Sequence, residues 1–187
     1  RNQTFQPSSG YRTKFSQSVP IIIDSSSLVN KFEYSAYHTL SEDVIGSVKF
    51  LAKAVNGLEG EDTRLSSRSF IPANRLRGFN TRKVGPKDGE NYVGGNYVST
   101  LSIEAQLPNL LPESSRTDIS AFMDTGNVWH VDYDSTIDDT NQIRSAVGLA
   151  ANVWTPVGPL SFVLAQDLVK SINDETQAFS FRIGTSF

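Results

Sequence analysis

Only two side chains in this 187-residue chain, His38 and His130, carry an imidazole, and none carries a thiol. Without cysteine there is no thiol nucleophile, no thiolate metal ligand and no disulfide framework. No G-x-S-x-G elbow, H-E-x-x-H pair or glycine-rich phosphate loop is present. His38 falls on the apolar side of its strand near an end, where interfacial anchoring is the ordinary reading. A non-enzymatic chain without cofactor is therefore expected. Asp132, Asp134, Asp138 and Asp139 could offer hard oxygen ligands to calcium. Their spacing lacks the glycine and distal glutamate of an EF-hand, so a solvated surface loop, and no metal, is expected. The segment 56–90 is basic, with Arg64, Arg68, Arg75, Arg77, Arg82 and Lys83. Aromatic stacking partners are sparse there, and 17 basic against 20 acidic residues give a net charge of −3, so nucleic acid is not an expected partner.

The elements that position these groups read as strands. A hydrophobic content of 38%, with 11 Phe and 6 Tyr, excludes intrinsic disorder. Residues 145–166 carry no charge and are about long enough for a transmembrane helix. Their centre, Thr155-Pro156-Val157-Gly158-Pro159, would break one, so two strands and a tight turn are expected. Elsewhere the side-chain period is two. Tyr97, Leu101, Ile103 and Ala105 alternate with Val98, Thr100, Ser102 and Glu104, and Phe179, Phe181, Ile183 and Phe187 with Ser180, Arg182 and Gly184. The spacing predicts about eight strands near 10–23, 27–40, 43–55, 91–107, 116–130, 141–155, 158–169 and 177–187. Strands of roughly 11–15 residues exceed the usual 5–6 and suit the tilted crossing of an outer membrane.

The faces and connections point the same way. Polar faces hold small hydroxyls, glycines and isolated charges, as a wet lumen would. Short joins (7–10, 41–43, 156–159) alternate with long ones (56–90, 130–140), the pattern of a transmembrane barrel rather than of a soluble β-sandwich. A one-residue slip would turn Lys49, Lys53 and Arg182 toward lipid at about 2–4 kcal/mol each, so register is strongly enforced. Tyr11, Tyr34, Tyr92, Tyr97, Trp129, Trp154 and Phe187 lie near predicted strand ends, as interfacial girdles would. No basic-then-apolar leader lies in residues 1–10, so any secretion signal is expected outside them.

Four segments in order carry a family resemblance: Leu76-Arg77-Gly78-Phe79; Val93-Gly94-Gly95-Asn96; Phe122-Met123-Asp124-Thr125-Gly126-Asn127-Val128-Trp129; and 143–159 with Gly158-Pro159-Leu160, before a last strand ending on Phe187. Together they resemble the barrel of the BamA family of outer-membrane assembly factors. The resemblance implies an all-β, antiparallel transmembrane β-barrel. Residues 1–187 would be about eight C-terminal strands of a sixteen-strand barrel, with a long internal loop at 56–90. It implies that Arg77, beside Gly78 and Phe79, reaches into the lumen and pairs with wall carboxylates matching Glu104 and Asp124. Alternation separately places both carboxylates on the polar face, and a guanidinium fork can bridge two of them.

The resemblance further implies a weak lateral seam along 177–187, marked by Phe179, Phe181, Gly184 and Phe187, with Gly184 at a kink. The implied function is folding and insertion of outer-membrane proteins from a site in the bacterial outer membrane. Implied partners are unfolded outer-membrane proteins, assembly-complex lipoproteins, and outer-membrane lipid and lipopolysaccharide. A two-partner secretion or TamA-like translocation pore of the same superfamily is the alternative, and a diffusion porin the third. With two unpaired sheet edges, the chain is also expected to close, self-associate or form part of a larger chain.

Overall fold

The computed structural model describes residues 7–20, 27–58, 60–107, 111–112, 115–139, 141–156 and 158–183. Its strands are β1 (Gly10–Ser18), β2 (Ser27–Ser41), β3 (Val44–Gly57), β4 (Lys87–Asp88), β5 (Asn91–Tyr92), β6 (Tyr97–Gln106), β7 (Thr117–Trp129), β8 (Arg144–Thr155), β9 (Gly158–Val169) and β10 (Phe179–Ile183). Eight form one antiparallel meander in the order β1-β2-β3-β6-β7-β8-β9-β10, and β4 and β5 make a separate two-residue ribbon. The outer sides of β1 and β10 carry no further strand among the described residues. The expected helix-breaking turn is present, with Thr155 paired to Gly158 between β8 and β9.

The expected strand 91–107 is shorter than its alternation suggested. Residues 91–92 fold back on 87–88 inside the loop, and the sheet resumes only at Tyr97. The reason is local, because Gly94 takes a φ of 69° and Gly95 bridges to Ser69, turning the chain before it can join β3.

Burial is inverted relative to a soluble sheet. On β6 the apolar Leu101 and Ile103 are 37% and 49% exposed, while Thr100 and Ser102 are 2% and 3% exposed. Leu149 and Leu164 are likewise exposed, at 50% and 61%. A face of Leu, Ile, Val and Phe turned outward along whole strands requires an apolar medium, which the tilted strands of a membrane barrel meet. On the other face, residues from β1 to β8 line a single cavity of about 440 Å³, so that face is concave.

The segment between β3 and β6 packs into that concavity. Its Ile71, Leu76, Phe79 and Val84 bury against Val98 of β6, Val128 of β7 and Ala146 of β8. A smaller cluster, Phe122, Ala150 and Val163, lies beneath it on β7–β9. The apolar core is thus the contact between an inward-folded loop and the small residues of the wall.

Candidate functional site: an arginine clamp inside the sheet

Arg77 is the centre of the site. Its backbone N–H donates to Asp124 Oδ2 at 2.9 Å, its Nε to the same oxygen at 2.8 Å, and its Nη2 to Asp124 Oδ1 at 2.9 Å. The remaining arm, Nη1, donates to Glu104 Oε2 at 2.9 Å. The guanidinium also lies over the ring of Phe122, 3.6 Å from its centroid. Asp124 is fully buried, and an unpaired carboxylate there would cost several kcal/mol. Three donors from one residue remove that cost, and the planar fork reaches a second carboxylate at once.

Two glycines make the approach possible. Gly78 has a φ of 92°, and a Cβ there would meet the Cβ atoms of Ala146 and Ala165 at 3.0 Å. A side chain at this position would thus be strained in backbone and crowded in space. Gly148 pairs with Phe122 across β7 and β8, and a Cβ there would come within 2.7 Å of the Phe122 ring. The ring thus occupies the space a side chain at Gly148 would need, and Arg77 lies over the ring. Phe79, 6% exposed, bridges to Thr176 in the segment before β10. Around it, Asn80 N–H donates to Glu175 O at 2.9 Å, Glu175 N–H to Lys83 O at 3.0 Å and Gln177 N–H to Gly78 O at 2.9 Å.

Two more guanidinium–carboxylate locks hold the loop at the long-loop rim. Arg144 of β8 donates from Nε to Asp174 Oδ2 at 2.9 Å and from Nη2 to Oδ1 at 3.3 Å. It also reaches Asn127 Oδ1 at 2.7 Å, while Asp174 accepts from the Gly85 and Ser171 N–H groups. Arg68 donates to Asp132, to Thr63 O at 2.9 Å and to Asn96 Oδ1 at 3.1 Å. Asn96 Nδ2 in turn donates to Asp132 Oδ2 at 2.7 Å, and Thr63 N–H to the same oxygen at 2.8 Å. Burial would raise the Asp132 carboxyl. The bonds from Thr63, Asn96 and Arg68 outweigh it and hold that group well below the usual carboxylate range.

The loop is thus anchored at three places inside a concave sheet with an apolar outer face. The Omp85 superfamily domain matches residues 1–187. The chain belongs to the Omp85 superfamily. Among curated Omp85-type relatives, "Outer membrane protein assembly factor BamA" of Neorickettsia risticii (strain Illinois) is 28% identical over 189 residues, covering 98% of this chain and 25% of its own length. The BamA of Neisseria meningitidis serogroup B (strain ATCC BAA-335 / MC58) is 30% identical over 142 residues, covering 60% of this chain and 17% of its own. The crystal structure of Haemophilus ducreyi BamA lacking POTRA domains 1–3 superposes with a TM-score of 0.84 at 23% identity, over 96% of this chain and 39% of that one. This Omp85 chain thus spans about a quarter of the first relative's length.

Within this Omp85 domain, Arg77 meets Asp124 and Glu104 with Gly78 next to it, while Phe79 packs in the loop's apolar cluster and bridges to Thr176. Phe179 and Phe181 lie on the outward face of β10, with the Phe181 ring tilted against Phe162 at 5.1 Å between centroids. Gly184 and Phe187 lie outside the described residues.

The acidic stretch is corrected. Asp132 is not a solvated loop carboxylate but the acceptor of the Arg68 lock, and Asp139 accepts the Val131 N–H at 2.8 Å. The girdle is corrected in part. Tyr97 and Trp129 do pair across strands at 5.8 Å, whereas Trp154 turns inward to donate to Asp118 Oδ2 at 2.7 Å. Tyr92 belongs to the loop and donates to Asn173 O.

The pairings missed are those of Arg68 with Asn96 and Asp132 and of Arg144 with Asp174. The missing signal for Arg144 was parity, since it shares the inner face of β8 with Ala146, Gly148 and Ala150. A cation on a face of small residues requires a buried acid.

Proposed function

We propose that this Omp85 domain is part of an outer-membrane β-barrel assembly factor, seated in the bacterial outer membrane, that folds and inserts outer-membrane proteins without catalysis. The observation that carries the reading is the Arg77 clamp. It fixes the loop inside the concave face, in space that a diffusion channel would keep open. The assembly-factor role for which the two BamA relatives are named supports the same reading. In this mechanism the free edge of β10 is one side of a lateral seam, where an incoming strand pairs through backbone hydrogen bonds. Assembly-complex lipoproteins and outer-membrane lipid, including lipopolysaccharide, are the partners this role requires.

The test is replacement of the full-length protein in its own bacterium by Arg77→Ala under depletion. Loss of folded outer-membrane proteins at normal transcript levels is expected, and unchanged levels overturn the reading. Planar-bilayer conductance of the full-length protein separates the porin alternative, for which a large steady conductance is required.

A further inference from the structure

The loop covers β6 to β9 and reaches β2 and β3 at Glu33, Leu51 and Val55, but it leaves β1 and the Arg12, Lys14 and Lys49 side of the concave face open, and that open part is charged in an ordered way. Register places its inward residues on three successive rungs: Arg12–Ser35–Lys49, Lys14–Glu33–Leu51 and Ser16–Lys31–Lys53. Every rung carries a cation. Glu33 is the one carboxylate among these nine positions, and it is already taken, by Lys31 at 3.1 Å with Arg75 at 3.8 Å. Neither Arg12, Lys14, Lys49 nor Lys53 lies within salt-bridge distance of a carboxylate among the described residues, although Lys49 attracts Glu104 on the neighbouring strand at longer range. Lys31 and Lys53 stand directly opposite each other, an arrangement that destabilises a sheet unless an anion lies between them. On the same face the acids Glu104, Asp118 and Asp124 are confined to β6 and β7, two of them held by Arg77 and the third by Trp154.

We propose that the β1–β3 strip is a docking track for an extended, acidic polypeptide segment. Successive rungs on one face of a strand are about 7 Å apart, which is also the repeat of alternate side chains in any extended chain. A segment with carboxylates at every second residue therefore matches the cations rung for rung. A point anion such as phosphate would engage one rung and leave the others unpaired. Arg12, Lys14 and Lys49 line the cavity of about 440 Å³, so the track is open to such a chain. The inference goes beyond the assembly role and does not depend on it, because occupancy is read on the purified protein.

The experiment uses full-length protein in nanodiscs and a fluorescent peptide of about ten residues alternating glutamate with threonine. Anisotropy should report binding at least about tenfold tighter than for the lysine–threonine counterpart, weakened by about 0.5 M salt. Lys49→Glu with Lys53→Glu should lower the affinity by at least about tenfold, and Lys87→Glu should leave it unchanged. Cold electrophoretic mobility checks that each variant is folded, and Lys49→Gln with Lys53→Gln replaces the reversal if it is not. Equal binding of acidic and basic peptides, an unaffected double variant, or displacement of the peptide by inorganic phosphate at about 10 mM would each overturn the proposal.

Discussion

The two halves of the inner face differ in what touches them. Under the loop, β6 to β8 present Thr100, Ser102, Ser120, Ala146 and Ala150, all buried. Away from the loop, β1 is exposed along its whole length and carries Arg12 and Lys14 inward. The same sheet, with the same alternation, is filled with small side chains where protein lies against it and with long hydrated cations where water does. Small residues on the lumen face therefore record a packed partner, as close packing requires, and a long charged one lies under the loop only where, like Arg144, it meets a buried acid. The outer face shows no such division, because one apolar medium covers all of it.

This contrast can be broken at graded strengths. Arg77→Ala removes the tie between the loop and the half it covers, strands Asp124 and Glu104, and should cost about 3–5 kcal/mol in the thermal unfolding of the full-length protein. Arg77→Lys should recover only part of it, since an ammonium cannot make the paired geometry. Leu149→Arg, on the outward face, should cost about 2–4 kcal/mol of membrane stability. The same exchange at an exposed site of a soluble protein would be nearly neutral, so refolding into vesicles against denaturant decides which medium faces Leu149. Gly78→Ala forces a side chain into a left-handed φ between two alanines and should cost about 1–3 kcal/mol, seen as an earlier melting transition. Lys83→Ala, at a pair exposed on both sides, should change melting by less than about 1 kcal/mol.

Acid tests the rim separately from the clamp. The Asp132 carboxyl is depressed by its donors in the folded protein, so its stabilisation is complete above its unfolded value of about 4 and declines as pH falls below that. Protease cleavage within 58–96 should therefore accelerate on acidification below that value. Asp132→Asn should flatten the dependence, and an unchanged profile in the variant would assign the acid effect elsewhere.

Alternation made seven of the eight sheet strands legible to within a few residues of their starts, because Leu101 and Ile103 against Thr100 and Ser102 need no knowledge of neighbours. The exception, 91–107, failed at Gly94-Gly95, where turn geometry overrode a continuous pattern. Arg77 with Glu104 and Asp124 was legible through family likeness together with strand parity. The Arg68–Asp132 and Arg144–Asp174 locks were not, since each joins segments whose meeting depends on how three separate loops fold together at the rim. Trp154 was misassigned because being near a strand end says nothing about side. Its parity with Asn152 and Ala150 would have placed it inward.

The three backbone hydrogen bonds between 78–83 and 175–177 tether the plug to the stretch of chain that leads directly into β10. Arg182 adds a fourth link by donating to Ala73 O at 2.7 Å. Peeling β10 from β9 must therefore either haul the loop outward or first sever those links. Any load on the final strand is thereby passed to the interior plug.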